Sequence, residues 1–102
     1  MAEFIYVLRP VRADMLETGL TGREGAALAD HFAYLQAQAA RGVVRMAGRT
    51  VTTGPETFGL VLFEAGDEAA ARSVMQNDPA VRDGIMTAEM WPFRVALGGA
   101  AG

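Results

Sequence analysis

Few side chains in this sequence can do chemistry, and their scarcity narrows what that chemistry can be. His31 is the only histidine, set in the run His31-Phe32-Ala33-Tyr34-Leu35. An imidazole titrates near neutrality, so it can take or give a proton under ordinary conditions. Asp78 stands directly before Pro79, a step that suits a helix cap followed by proline at the first helical position. Such a cap accepts bonds from the amides of Ala80 or Val81, and the second carboxylate oxygen stays available for another partner. Arg9, Arg45 and Arg49 are candidate substrate anchors, because a guanidinium holds a carboxylate or phenolate in a two-pronged geometry. Tyr6 and Tyr34 each carry a phenol that could donate a proton in a cleft. Each of these has a plainer reading. His31 can pack its ring and donate one bond to a backbone carbonyl, an Arg can be a solvated charge on a strand edge, and Tyr34 can pack with its hydroxyl in water.

The residues that are missing exclude more. There is no Cys, so there is no disulfide framework, thiolate nucleophile or Cys-ligated zinc. All nine basic residues are Arg, which removes a Schiff-base lysine and the lysine of a phosphate-binding loop. One histidine cannot build a two-His metal site within one chain, and Ser73, the only serine, sits in a helical stretch without the strand-to-helix elbow of a nucleophile. No cofactor and no metal are expected. Twelve acidic residues against nine Arg leave a net charge of -3, and the two signs alternate along the chain. Nucleic acid is therefore not an expected partner. The longest strongly apolar run, Phe58 to Phe63, is far shorter than a membrane span, and Glu3 stands where a signal peptide would carry positive charge. No membrane partner and a cytoplasmic location are expected.

These residues need a scaffold, and 102 residues with 51% apolar content suit one domain with one core. The domain is expected over residues 1–97, with 98–102 a disordered tail. Alternating apolar residues predict a strand over Glu3 to Arg9, stopped by Pro10. A loop with a helical turn around Ala13 to Glu17 leads to Thr21, and Glu24 three residues later completes a capping-box spacing. The helix it opens runs to about Arg41, with Gly42 as its left-handed stop and Leu28, Phe32, Leu35 and Ala39 as its apolar face. His31 falls at the margin of that face. Strands are predicted over Val43 to Thr50 and Phe58 to Ala65, a helix from Asp67 or Glu68 to about Asn77, a short helix over Pro79 to Ile85, and a last strand over Ala88 to Ala96. Pro92 puts that strand at an edge or a bulge. The order β-α-β-β-α-β is the ferredoxin-like α+β plan, a four-stranded antiparallel sheet with helices on one face.

Two helices cover one face of such a sheet, and the other face should then alternate to polar residues. It does not: Ile5 and Val7 are apolar as well as Phe4, Tyr6 and Leu8, and Leu60 and Leu62 as well as Val61 and Phe63. An uncovered apolar face of that size marks an interface, and the same face of a second copy is the simplest cover. A homodimer is expected.

The chain resembles the YCII-related (YciI-like) family of small dimeric α+β barrel proteins. The resemblance runs from Phe4 to Val95. It rests on the helix histidine in His31-Phe32-Ala33-Tyr34-Leu35, on Gly42-Val43-Val44-Arg45-Met46-Ala47-Gly48, on Asn77-Asp78-Pro79-Ala80-Val81 with Gly84 beyond, and on Trp91-Pro92-Phe93. It implies that His31 and Asp78 form an acid/base pair, and that the chemistry is lyase or isomerase proton transfer, as in relatives that dehydrochlorinate chlorinated hydroquinones. The family's Gly-Pro at the end of the second strand is absent: Gly48 is followed by Arg49, and Gly-Pro comes later, at Gly54-Pro55. The loop beside the expected cleft is thus altered.

The reading that follows is a cofactor-independent enzyme acting on a small organic acid, lactone or phenolic ring. His31 would move the proton, Asp78 would orient the imidazole, Arg9 or Arg45 would hold the negative charge, and Tyr6 would contact the substrate. The alternatives are a non-catalytic ligand-binding or regulatory dimer on the same scaffold, and an interaction domain whose apolar face only assembles.

Overall fold

Alternation along the first strand separates the two sides of the sheet. In the computed structural model, which describes residues 1–98, β1 (Ala2–Pro10) buries Phe4, Tyr6 and Leu8 on one side and leaves Ile5 and Val7 half-buried on the other. A loop carrying the one-turn helix α1 (Met15–Thr18) leads to α2 (Gly22–Ala40). Both halves of the expected capping box are present at the start of α2, Thr21 Oγ1 accepting from the Glu24 amide at 3.1 Å and Glu24 Oε1 accepting from the Thr21 amide at 2.9 Å. At its other end Gly42 takes a φ of +78°, the left-handed conformation open to glycine without strain. β2 (Val44–Arg49) and β3 (Gly59–Ala65) follow. Asp67 caps α3 (Glu68–Gln76), accepting from the Ala70 amide, and Asp78 caps α4 (Pro79–Arg82); β4 (Met86–Pro92) closes the order.

The strands lie in the order β2-β3-β1-β4 and every neighbouring pair is antiparallel. This is the ferredoxin-like α+β arrangement. The register sets Tyr6 opposite Val61 and Phe4 opposite Phe63. These side chains pack beneath Leu35 of α2 and Ala71 and Met75 of α3, so the core lies between one face of the sheet and its helices. A register shift between Val44 and Met46 makes Arg45 the extra residue of a bulge.

The first strand is not stopped by Pro10, which pairs with Met86 as its last residue, and the last strand and the short helix depart further from expectation. The last strand starts at Met86 and ends at Pro92, instead of running from Ala88 to Ala96. The Phe93 amide still donates to the Glu3 carbonyl at 3.0 Å, but the Val95 amide turns to the Glu3 carboxylate and the ladder stops. Pro92, which has no amide to donate, stands on the edge strand β4. The short helix ends at Arg82 instead of Ile85, because Gly84 turns the chain at a φ of +73° and sends Ile85 into the core. Of the tail expected over 98–102, residues 99–102 lie outside the described residues.

The outer face of the sheet carries Ile5, Val7 and Leu60, half-buried, with Leu62 buried and Met46 and Trp91 about half exposed. Among the described residues no helix is long and apolar enough to cross a membrane.

Candidate functional site

The cap of α4 organises the site. Asp78 takes extended backbone geometry at the helix start, and its Oδ1 accepts from the Ala80 amide at 3.0 Å. The cap holds the side chain in one orientation, with its oxygens directed at two other elements. Oδ1 lies 2.7 Å from His31 Nδ1, near the middle of α2. Oδ2 accepts from the Tyr6 hydroxyl of β1 at 2.8 Å. Asp78 is 0% exposed, and a carboxylate taken fully out of water needs donors on both oxygens. Two are fixed, the Tyr6 hydroxyl and the Ala80 amide, and His31 Nδ1 is a third when that nitrogen carries the ring proton.

The imidazole sits between this buried anion and open space. The His31 side chain is 17% exposed and forms part of the wall of a cavity of about 710 Å³, a size in the range of small-molecule sites. With Nδ1 facing a carboxylate oxygen at hydrogen-bond distance, Nε2 is the ring nitrogen left to exchange a proton with a molecule in the cavity. The partner of one nitrogen thus decides the work of the other.

Both tyrosines serve the interior. Tyr6 is 0% exposed and does not reach the cavity wall; it holds the far oxygen of Asp78. Burial first, then the charge of Asp78 and the hydrogen bond to it, push the Tyr6 phenol far above its usual range, so it stays a donor. Strict alternation with Phe4 and Leu8 is the signal that points Tyr6 inward. Tyr34 donates to the Val74 carbonyl at 2.7 Å and does not end in water. Its phenol is raised by burial and then by Asp78, with Arg41 opposing.

The arginines separate by face. Arg9 lies with Ile5 and Val7 on the outer side, exposed, its guanidinium 5.3 Å from the centre of the Phe58 ring, and it is not part of the cavity wall. Arg45, at the bulge, reaches the wall while its guanidinium donates to Glu64 at 2.8 Å. Arg49 also lines the cavity. Its register partner Gly59 pairs in turn with Leu8 of the buried row, which places Arg49 on the helix side of the sheet.

The remaining wall is mostly apolar, with Leu8, Leu28, Leu35, Val61 and Met86 within it, Met15 and Leu16 of α1 at one side, and Gln36 and Thr57 as its polar members. Phe32, expected inside the packed face of α2, is 62% exposed and forms part of the wall. The contribution of α1 to the wall has no motif of its own in the sequence. Among the described residues no three His, Cys, Asp or Glu side chains converge as metal ligands would.

A model of the YCII-related domain family matches residues 8–94. No curated protein matches the sequence. Among solved structures, the chain is similar to 5-chloro-2-hydroxyhydroquinone dehydrochlorinase from Burkholderia phenoliruptrix AC1100, determined in complex with 2,5-dihydroxybenzoquinone. The TM-score is 0.64 at 20% identity, over 89% of this chain and 93% of that one. At that identity the likeness is one of fold.

Proposed function

The chain belongs to the YCII-related domain family, and from that membership and the dyad at the cavity we propose that it catalyses proton transfer on a small organic molecule. The contact that carries the proposal is His31 Nδ1 to Asp78 Oδ1 at 2.7 Å, made by a ring that also walls a cavity of ligand size. His31 Nε2 is the general base and then the general acid. Asp78 fixes the ring and stabilises the imidazolium formed when Nε2 takes a proton. In an isomerisation the proton taken from one carbon returns to another. In an elimination the electron pair left behind forms the new double bond and a leaving group departs as an anion. Both need one acid/base group and no cofactor, which suits a chain with one histidine. Small organic acids, lactones and phenols, hydroxylated quinones among them, are the substrate classes. Two copies joined through the outer faces of their sheets are the proposed working unit.

The test is turnover of a panel of chlorinated hydroquinones and unsaturated lactones by the wild-type protein and by His31→Ala. The expected loss is about a hundred- to ten-thousand-fold in kcat, the usual worth of a positioned acid/base group. The variant should sediment, like the wild type, as a two-chain species. Turnover that survives His31→Ala, or a panel with no substrate in it, refutes the proposal.

A further inference from the structure

Charge is unevenly distributed around the cavity. Acidic residues outnumber Arg in the chain, twelve to nine, yet none of the described Asp or Glu side chains forms part of the cavity wall. The ionisable groups that do are His31, Arg45 and Arg49. Asp78, the acid of the dyad, is fully buried behind the imidazole. A mostly apolar wall with cationic groups and no anionic ones concentrates field on whatever enters, and it favours one sign.

The two arginines are not equivalent. Arg45 donates to the Glu64 carboxylate, so part of its charge is already answered. Arg49 forms no ion pair with any described carboxylate, and its guanidinium makes a 3.4 Å bond to the neighbouring Thr50 carbonyl. Beside it Gly59 carries no side chain, and one would be crowded: a Cβ there would stand 3.3 Å from the Gly48 carbonyl oxygen and 3.8 Å from both Arg49 Cβ and Leu8 Cβ. Gly59 and Ala47, on the same side of the sheet as Arg49, keep the side chains beside the guanidinium small, next to the apolar wall.

We infer that the cavity is selective for aromatic or similarly flat monoanions, and that Arg49 is the residue which reads the negative charge. This deepens the proposed proton transfer and rests on it for the identity of the site. An anionic group held by Arg49 leaves the ring of the ligand on the apolar wall that His31 shares.

The experiment compares two fluorescent probes of nearly equal shape, 2-naphthoate and its neutral amide, binding to the wild type, Arg49→Gln, Arg49→Lys, Arg9→Gln and His31→Ala. The wild type should bind the carboxylate more tightly than the amide. Arg49→Gln should weaken the carboxylate at least about tenfold, as expected for loss of a charge-assisted pair, and leave the amide unchanged. Arg49→Lys should recover part of the difference, and Arg9→Gln should change nothing. Equal binding of the two probes by the wild type overturns the inference, as does discrimination that persists in Arg49→Gln or failure of both probes to bind at millimolar concentration. Probe discrimination retained in His31→Ala beside turnover retained in that variant overturns the proton-transfer role alone, so the two failures are distinct.

Discussion

At the scale of single residues, the site is an account of where each hydrogen bond of one buried carboxylate goes. Asp78 would be costly at 0% exposure without donors, and the Ala80 amide, the Tyr6 hydroxyl and His31 Nδ1 supply them. Tyr6 is therefore a positioning residue: it touches no ligand space and acts through Asp78. Tyr6→Phe removes a hydrogen bond to a charged group, and the expected cost is about 1.5–3 kcal/mol of unfolding free energy, read by denaturant titration. Its effect on turnover should appear in kcat with KM unchanged. A variant destabilised by that amount with kcat intact would reduce Tyr6 to a packing role. Some of this was legible beforehand. The Asp-Pro step announces a cap, and a lone histidine draws attention to itself. A phenol in a sequence advertises its hydroxyl and suggests a substrate contact, whereas alternation with Phe4 and Leu8 buries Tyr6.

At the scale of elements, two things hold α1 beside the cavity: Met15 packs against Ala27 and Ile85, and Arg12 ties down the loop. The guanidinium grips Glu24 through two bonds of 2.6 and 2.9 Å, and also donates to Thr18 Oγ1 and the Gly19 carbonyl, each at 2.7 Å. Glu24 in turn closes the capping box of α2, so one carboxylate joins the loop of α1 to the start of the helix that carries His31. Capping box spacing was readable; the grip of Arg12 was not, since nothing in the sequence links residues 12 and 24 until the loop folds back. The Arg12 bonds and the Thr21 amide lower the Glu24 carboxyl from its ordinary range to about 2. A carboxyl lowered on folding adds stability that is fully present above its unfolded pKa, near 4.5, and is lost as pH falls from there toward 2. Glu24→Gln should therefore melt lower than the wild type at pH 7, with the gap closing as pH drops through that window. Thermal melts across the range check this, and a gap constant with pH contradicts it.

At the scale of the whole molecule, the fold converts sequence distance into contact. The β-α-β-β-α-β order was legible from periodicity, caps and Gly-Pro punctuation, because each of these is a local signal. The meeting of residues 6, 31 and 78 was not, since it depends on strand order β2-β3-β1-β4 and on how α2 lies beside α4. Nor was the outward turn of Arg9, away from the cavity, although its place in the row with Ile5 and Val7 follows from alternation. That outer row, with Leu60, Leu62 and Trp91, is where a second copy would cover apolar surface. The proton between His31 and Asp78 sets what the site can do. Long-range proton–nitrogen correlation spectra of the imidazole, recorded on the folded protein at a pH where the ring is neutral, read its tautomer directly. The prediction is a ring protonated at Nδ1, with that proton strongly downfield against Asp78, and a bare Nε2 whose signal moves when 2-naphthoate is added. A ring protonated at Nε2, with Nδ1 bare, would contradict it.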